Sequence, residues 1–264
     1  MESYFVQLID PVALPIGPLA VRWYGLAYLA GFLVAWRMLA TCAAEDTRYP
    51  AALDMANFFT YAVFGAVLGG RLGEVLFYRT AFYLSHPLEF LAVWQGGMAS
   101  HGGMIGVRAG SLLFARRFGV SLPLLLDDVA LAATPGLCFG RLANFVNSEM
   151  LGKATDVPWA VVFPVHDLVP RHPVQLYQAL TEGPILFAAL WIGRRLGLMP
   201  GVRVALFLFT YGALRFVTEF YRMVDADYLG YQFGFTNGQQ LSLVMMAMGL
   251  GLGAALHLRR WPGR

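Results

Sequence analysis

Gly140-Arg141-Leu142-Ala143-Asn144-Phe145-Val146-Asn147-Ser148-Glu149 is a polar knot that directly follows an apolar run beginning near residue 122. About 20 apolar residues cross the hydrocarbon core of a bilayer. Charged and amide side chains at that depth are expensive, so a chain that keeps them is using them. Working outward, and allowing modest polar interruptions, seven segments qualify as spans, near 20–39, 55–77, 91–114, 122–140, 173–193, 202–222 and 239–257. Residues 1–19 are broken by Asp10, Pro11, Pro15 and Pro18, and this arm is expected to lie along the interface. The fold class expected is an all-α integral membrane protein, one membrane-embedded domain over 1–264.

Composition agrees. Of the 264 residues, 58% are hydrophobic and 13% charged, against about 25% charged in an ordinary soluble domain. A formal charge of +3, dispersed along the chain, gives no case for a nucleic-acid partner. Lys153 is the only lysine among 19 basic residues, the rest being arginine. Arginine keeps its charge on desolvation and grips phosphate through a planar fork. The two cysteines, Cys42 and Cys138, cannot make a disulfide framework, and neither has metal-ligand spacing to the five histidines. No cofactor and no metal are expected. The N-terminus lacks a basic region before a short apolar core, so no cleavable signal peptide is read there and the first span serves as the targeting signal.

Loop charge sets the orientation. One set of loops carries Arg37, Arg48, Arg116, Arg117, Arg194, Arg195, Arg203, Arg259, Arg260 and Arg264; the opposite set carries fewer, more dispersed cations. The positive-inside rule makes the first set cytoplasmic. The N-terminus is then outside and the C-terminus inside, and 141–172, marked by Pro158, Pro164 and Pro170, becomes an irregular external cap. Gly65/Gly69/Gly73, Gly102/Gly106 and Gly249/Gly253 recur at four-residue spacing, read as points of close helix approach.

This topology brings polar groups to one level. Tyr24 is at the outer end of the first span, and Arg71 with Glu74 at the outer end of the second, where an i, i+3 ion pair is the favoured reading. Arg141, Asn144, Asn147 and Glu149 follow the fourth span, and Gln175 and Tyr177 begin the fifth. Arg215, Glu219 and Arg222 fall at i, i+4 and i+7, one stripe of a helix. Glu219 is either a site residue or the group that makes Arg215 tolerable in lipid. Between 96 and 106 five glycines surround His101, weakening the helix and opening its backbone to close approach. His101 is either a general base, given an ordinary pKa near 6.5, or a structural hydrogen-bonder. Arg141 and Arg215 are the anion ligands of choice, two guanidinium groups able to clamp a phosphate and stabilise it as it leaves. Asn144, Asn147 and Glu149 suit hydroxyl recognition. Glu182, mid-span, needs a partner, and Arg108 and His101 both qualify.

The runs Arg22-Trp23-Tyr24-Gly25-Leu26, Gly69-Gly70-Arg71-Leu72-Gly73, 94–106 around His101-Gly102-Gly103, Gly140–Gly152, Arg171-His172-Pro173 through Tyr177, and Tyr211-Gly212 through Arg222 together resemble the prolipoprotein diacylglyceryl transferase family, in order and over nearly the whole chain. Departures are small: Val174 and Gln178 stand where Ser and Glu are expected, and Ser148 stands where Gly is usual. The resemblance implies a bacterial inner-membrane enzyme with seven spans and an external site. Its lipid donor would be phosphatidylglycerol and its acceptor the lipobox cysteine of an exported preprolipoprotein. Arg141 and Arg215 are implied as essential phosphate-side residues. His101, Tyr24, Asn144, Glu149, Tyr211, Glu219 and Arg222 are implied to line the site, with Arg71 and Asn147 kept as further lipid-binding candidates.

Three other classes compete. An anion transporter would continue its polar groups to the cytoplasmic face, yet the inner halves of the first, fourth and seventh spans are almost entirely apolar. An intramembrane protease needs a serine–histidine pair or paired aspartates in the site, and Ser100 beside His101 points elsewhere on a helix. A purely structural subunit leaves the arginine cluster unexplained.

Overall fold

The computed structural model describes residues 4–16, 19–92, 97–223 and 234–259. The chain forms two compact units, one of Met1–Ala35 with Asp127–Arg264 and the other of Trp36–Leu126. It is mostly helical, and among the described residues four helices are long and apolar enough to cross a membrane: Trp23–Glu45, Met55–Phe77, Leu122–Val146 and Asn237–Leu258. Only 17% of the most apolar window of each of the first two is buried within the protein. Residues such as Phe32, Phe64 and Leu76 face outward, the pattern lipid requires and water penalises. The other three expected segments are helical as well, but they are interrupted or carry more charge.

In the first unit, β1 (Phe5–Val6) precedes the strand pair β2 (Val12–Ile16) and β3 (Leu19–Arg22), which are antiparallel. The arm was expected only to lie along the interface, and its strand pairing was not read from the sequence. The first helix, α1 (Trp23–Glu45), follows directly. Helix α5 (Leu122–Val146) holds Pro135, whose missing N–H would orphan the Leu131 carbonyl. The Thr134 hydroxyl donates to that carbonyl at 2.9 Å, so the helix runs on. At its C-terminal end Gln7 reaches over, its amide donating to Phe145 O at 3.1 Å and Val146 O at 2.7 Å. Those carbonyls have no partner within the helix, so the arm caps α5 just where the polar knot begins. Beyond it β4 (Val161–Val162) pairs parallel with β1 and antiparallel with β5 (Pro170–Arg171). Phe145, Leu151, Val161 and Phe163 form a small buried core with this sheet.

Three consecutive pieces follow: α6 (Val174–Leu180), a π turn (Thr181–Ile185) containing Pro184, and α7 (Leu186–Arg195). Helices α8 (Val202–Glu219) and α9 (Asn237–Arg259) complete the unit. They approach backbone to backbone: a Cβ on Gly249 would lie 2.7 Å from Ala205 O. Asp127 and Asp128 on α5, absent from the reading of the sequence as partners, are fully buried. Asp127 accepts the backbone N–H of Gly201 and of Val204, each at 2.8 Å, and so caps α8. Asp128 accepts from Arg194 at 2.9 Å and Arg203 at 2.7 Å.

The second unit pairs α2 (Met55–Phe77) with α4 (Ser100–Phe118). The glycine spacing is a packing device here: a Cβ on Gly102 would sit 2.2 Å from Gly69 O, and one on Gly106 1.8 Å from Gly65 O. Between them lie α3 (Thr80–Ser85) and a 3-10 turn (Pro87–Leu91). Of the span expected over 91–114, residues 93–96 lie outside the described residues and α4 covers the part from Ser100. Gly97, at φ 74°, lies in the stretch before it.

Candidate active site

The geometry of Arg141 starts from a glycine. A Cβ on Gly183 would lie 2.6 Å from Cys138 Cβ, so only glycine lets the π turn come this close to α5. Arg141 stands one turn beyond Cys138, and Glu182 is the neighbour of Gly183. The guanidinium closes on that carboxylate as a fork, Nε to Oε2 at 2.8 Å and Nη2 to Oε1 at 3.3 Å. Glu182 is 0% exposed and Arg141 15%. The open partner of Glu182 is thus Arg141, not Arg108 or His101. A π turn in a helix is uncommon and clusters at functional sites; here it carries the carboxylate to the arginine.

Arg141 Nη1 donates to Met150 Sδ at 3.3 Å, and the Tyr211 side chain on α8 lies within electrostatic reach of the same guanidinium. One turn along α8, Arg215 lies within electrostatic reach of Arg141, Glu182 and Tyr211. The two arginines come from distant parts of the sequence and meet in one cluster. Arg215 Nη2 pairs with Glu219 Oε2 at 2.9 Å. Glu219 Oε1 takes Arg222 Nη1 at 3.3 Å and the Thr236 hydroxyl at 3.4 Å. Gly238 leaves the room: a Cβ there would be 2.5 Å from Glu219 Oε1. The stripe read from the sequence is real, and Glu219 is the bridge that holds both arginines.

The knot after α5 is built by two left-handed residues, Ser148 at φ 57° and Met150 at φ 55°. They turn Glu149 back over the helix end, where Asn144 Nδ2 donates to its carboxylate at 2.8 Å and Asn147 Nδ2 at 3.3 Å. Gln175 on α6 donates to Glu149 O at 2.6 Å, and His166 Nε2 donates to Ser148 O at 2.8 Å. The usual glycine at 148 has its reason in this backbone, since L-residues enter that region at a cost. Tyr24 packs against Tyr28 one turn on, their ring centroids 5.1 Å apart. Tyr28, which the sequence reading passed over, lies within electrostatic reach of Arg141 and Glu149.

Several buried polar atoms of this cluster have no hydrogen-bond partner among the described residues: Asn147 Oδ1, Gln175 Oε1, both amide atoms of Gln178, Arg215 Nη1 and Arg222 Nε. Native proteins leave few such atoms, and each asks for an explanation.

Arg71 and His101 belong to the second unit. Arg71 is 2% exposed. Its guanidinium donates to Phe90 O at 2.9 Å, Gly97 O and Ala92 O at 3.1 Å each, and Glu89 O, and it stacks over Tyr83. It ties the backbone at Glu89, Phe90, Ala92 and Gly97 to α2. His101 is the second residue of α4; its side chain lies outside the described features.

A helical membrane protein carrying a buried arginine–carboxylate site with donors and acceptors still open is what these features define. The sequence model of one family, prolipoprotein diacylglyceryl transferase, matches residues 11–255. The chain belongs to that family. It is 49% identical over 261 residues to the phosphatidylglycerol--prolipoprotein diacylglyceryl transferase of Azospirillum brasilense, covering 95% of this chain and 96% of the relative. Proteins of the same name from Methylocella silvestris and Geobacter sulfurreducens are 45% and 44% identical, each over 96% of this chain and over 95% and 97% of their own lengths.

Proposed function

We propose that this chain transfers the diacylglyceryl group of phosphatidylglycerol to the thiol of the lipobox cysteine of exported prolipoproteins, the first step of lipoprotein maturation. The observation that carries the reading is the meeting of Arg141 and Arg215 in one buried cluster, with Arg215 Nη1 unpaired. The family and the names of its members supply the substrates.

In the reaction, sulfur forms a bond to the terminal glyceryl carbon as that carbon's bond to the phosphate oxygen breaks. The thiol proton leaves, and glycerol phosphate carries the electron pair away. A free thiol near pKa 8.5 is a poor nucleophile until it becomes thiolate, and nearby cations favour that form. The same guanidinium groups stabilise charge building on the departing phosphate. Arg141 and Arg215 hold the phosphate side, Tyr211 and Glu182 set Arg141, and Glu219 sets Arg215 with Arg222. Asn144, Asn147, Glu149 and Tyr24 face the polar headgroup. His101 is the proposed proton acceptor and Arg71 supports the enzyme from its own unit. The chain crosses the bacterial inner membrane seven times, N-terminus outside, with the site and the 141–172 cap on the external side.

The test is purified protein with phosphatidylglycerol vesicles and a lipobox peptide, followed by mass. A thioether product is expected, and Arg141→Ala or Arg215→Ala abolishes it while the protein stays in the membrane. Full transfer by Arg141→Ala would overturn the clamp, and solute uptake without covalent product would replace transferase by transporter. For His101→Gln, the acid limb of the pH–rate profile is expected to vanish; an unchanged limb removes it from proton transfer.

A further inference from the structure

Gln178 is 0% exposed, and neither its amide nitrogen nor its amide oxygen has a hydrogen-bond partner among the described residues. Leaving both ends of a buried carboxamide unpaired costs about 1–3 kcal/mol for each group. Its surroundings say where the amide looks. Gln175 and Gln178, three apart on α6, share a face, and Glu182 follows four residues later. Gln175 is fixed to Glu149 O at 2.6 Å and Glu182 to Arg141 at 2.8 Å. The face between them therefore looks onto the 141–149 segment, and Gln178 sits midway along it.

We infer that Gln178 is a specificity-determining residue that contacts a hydroxyl of the lipid headgroup, resting on the transferase reading above. A carboxamide offers two donors and an acceptor, the complement of a hydroxyl, which both donates and accepts. Its buried oxygen would repel a bare phosphate oxygen, a role the arginines already fill. The ligand class is thus a phosphodiester whose alcohol carries free hydroxyls, read one helical turn from the phosphate.

Phosphatidylpropanol keeps the anionic phosphodiester and lacks both headgroup hydroxyls. The experiment compares it with phosphatidylglycerol, in wild type and in Gln178→Leu, by kcat/KM for thioether formation and by thermal stabilisation without acceptor peptide. The wild type is expected to favour phosphatidylglycerol at least about tenfold, the lower part of the range for an unpaired buried group. In Gln178→Leu the preference falls to near onefold through loss on the phosphatidylglycerol arm. The Tm of the variant stays at or above that of wild type, because an unpaired amide has been replaced by an apolar group of similar size. Gln178→Met repeats the comparison if the leucine variant does not fold. An equal preference in wild type and variant, as water alone on the amide would give, overturns the inference, as does a wild type indifferent to the hydroxyls. If wild type forms no thioether with either lipid, the transferase reading fails separately, and the thermal-shift ratio still decides the role of Gln178.

Discussion

Replacing Glu182 by glutamine strips the charge from the partner of Arg141 and leaves the shape. The carboxylate is fully buried and takes two guanidinium contacts, at 2.8 and 3.3 Å. At an effective dielectric of about 20, unit charges about 3 Å apart attract by roughly 5 kcal/mol before desolvation is counted. Removing one partner of a buried pair costs about 3–5 kcal/mol in practice, since the other charge is stranded. At about 2–4 °C per kcal/mol for a chain of this size, Tm falls by roughly 6–20 °C. Glutamine keeps one neutral acceptor, so the lower end is expected. The informative partner is the double variant Arg141→Met with Glu182→Leu, because an apolar pair of similar volume is often neutral or stabilising. It should regain most of the lost Tm in detergent and still form no thioether. A double variant as unstable as Glu182→Gln would show that the pair is not the source of the loss. Transfer by the double variant would refute the phosphate role of Arg141.

Ser148→Gly should raise stability by about 0.5–1 kcal/mol, the relief of a left-handed L-residue less the extra chain entropy of glycine; a lower Tm would mean the serine hydroxyl is needed. Gly102→Ala places a methyl 2.2 Å from Gly69 O and should destabilise by at least about 1–3 kcal/mol, read as Tm; no change would show that α2 and α4 can separate freely. Asp167 has its carboxyl held below the usual carboxylate range, first by the hydrogen bond from Arg171 at 2.5 Å. A depressed folded pKa makes this contribution whole above the unfolded value near 4 and lost as pH falls through the folded value. Asp167→Asn should therefore lower Tm near neutral pH and converge with wild type in strong acid, and parallel curves down to pH 2 would contradict the linkage.

Helix positions were legible because span length and apolarity are local properties, and Met55–Phe77 matches the expected 55–77 to the residue. The Arg215–Glu219–Arg222 stripe was legible for the same reason: helical periodicity alone puts it on one face. The pairing of Arg141 with Glu182 was not, since it depends on a π turn and on Gly183 meeting Cys138, forty-odd residues apart. Ser148 shows an intermediate case, where the unusual residue was visible but the positive φ behind it was not. Asp127 and Asp128 carried a signal that could have been used: two adjacent carboxylates inside an apolar run require cations, and the Arg194 and Arg203 assigned to loops were the nearest supply.

Two buried charge clusters in the first unit differ in how well they are satisfied. Residues 127 and 141 of α5 are about 21 Å apart along the axis, and residues 203 and 215 of α8 about 18 Å, at 1.5 Å per residue. At one end Asp127, Asp128, Arg194 and Arg203 bond to one another and to the start of α8, and none of their buried polar atoms is left open among the described residues. A fully satisfied network of that kind rigidifies the fold. At the other end similar residue types leave Arg215 Nη1 and Arg222 Nε as donors without a hydrogen bond, Gln175 Oε1, Asn147 Oδ1 and Glu219 Oε2 as acceptors without one, and Gln178 open at both atoms. Donors alone would suit inorganic phosphate, and acceptors alone a cation. The mixture suits a ligand that brings anionic oxygen and hydroxyl together. Among membrane lipids, a phosphodiester joined to a polyol meets that demand, and the proposed donor is one.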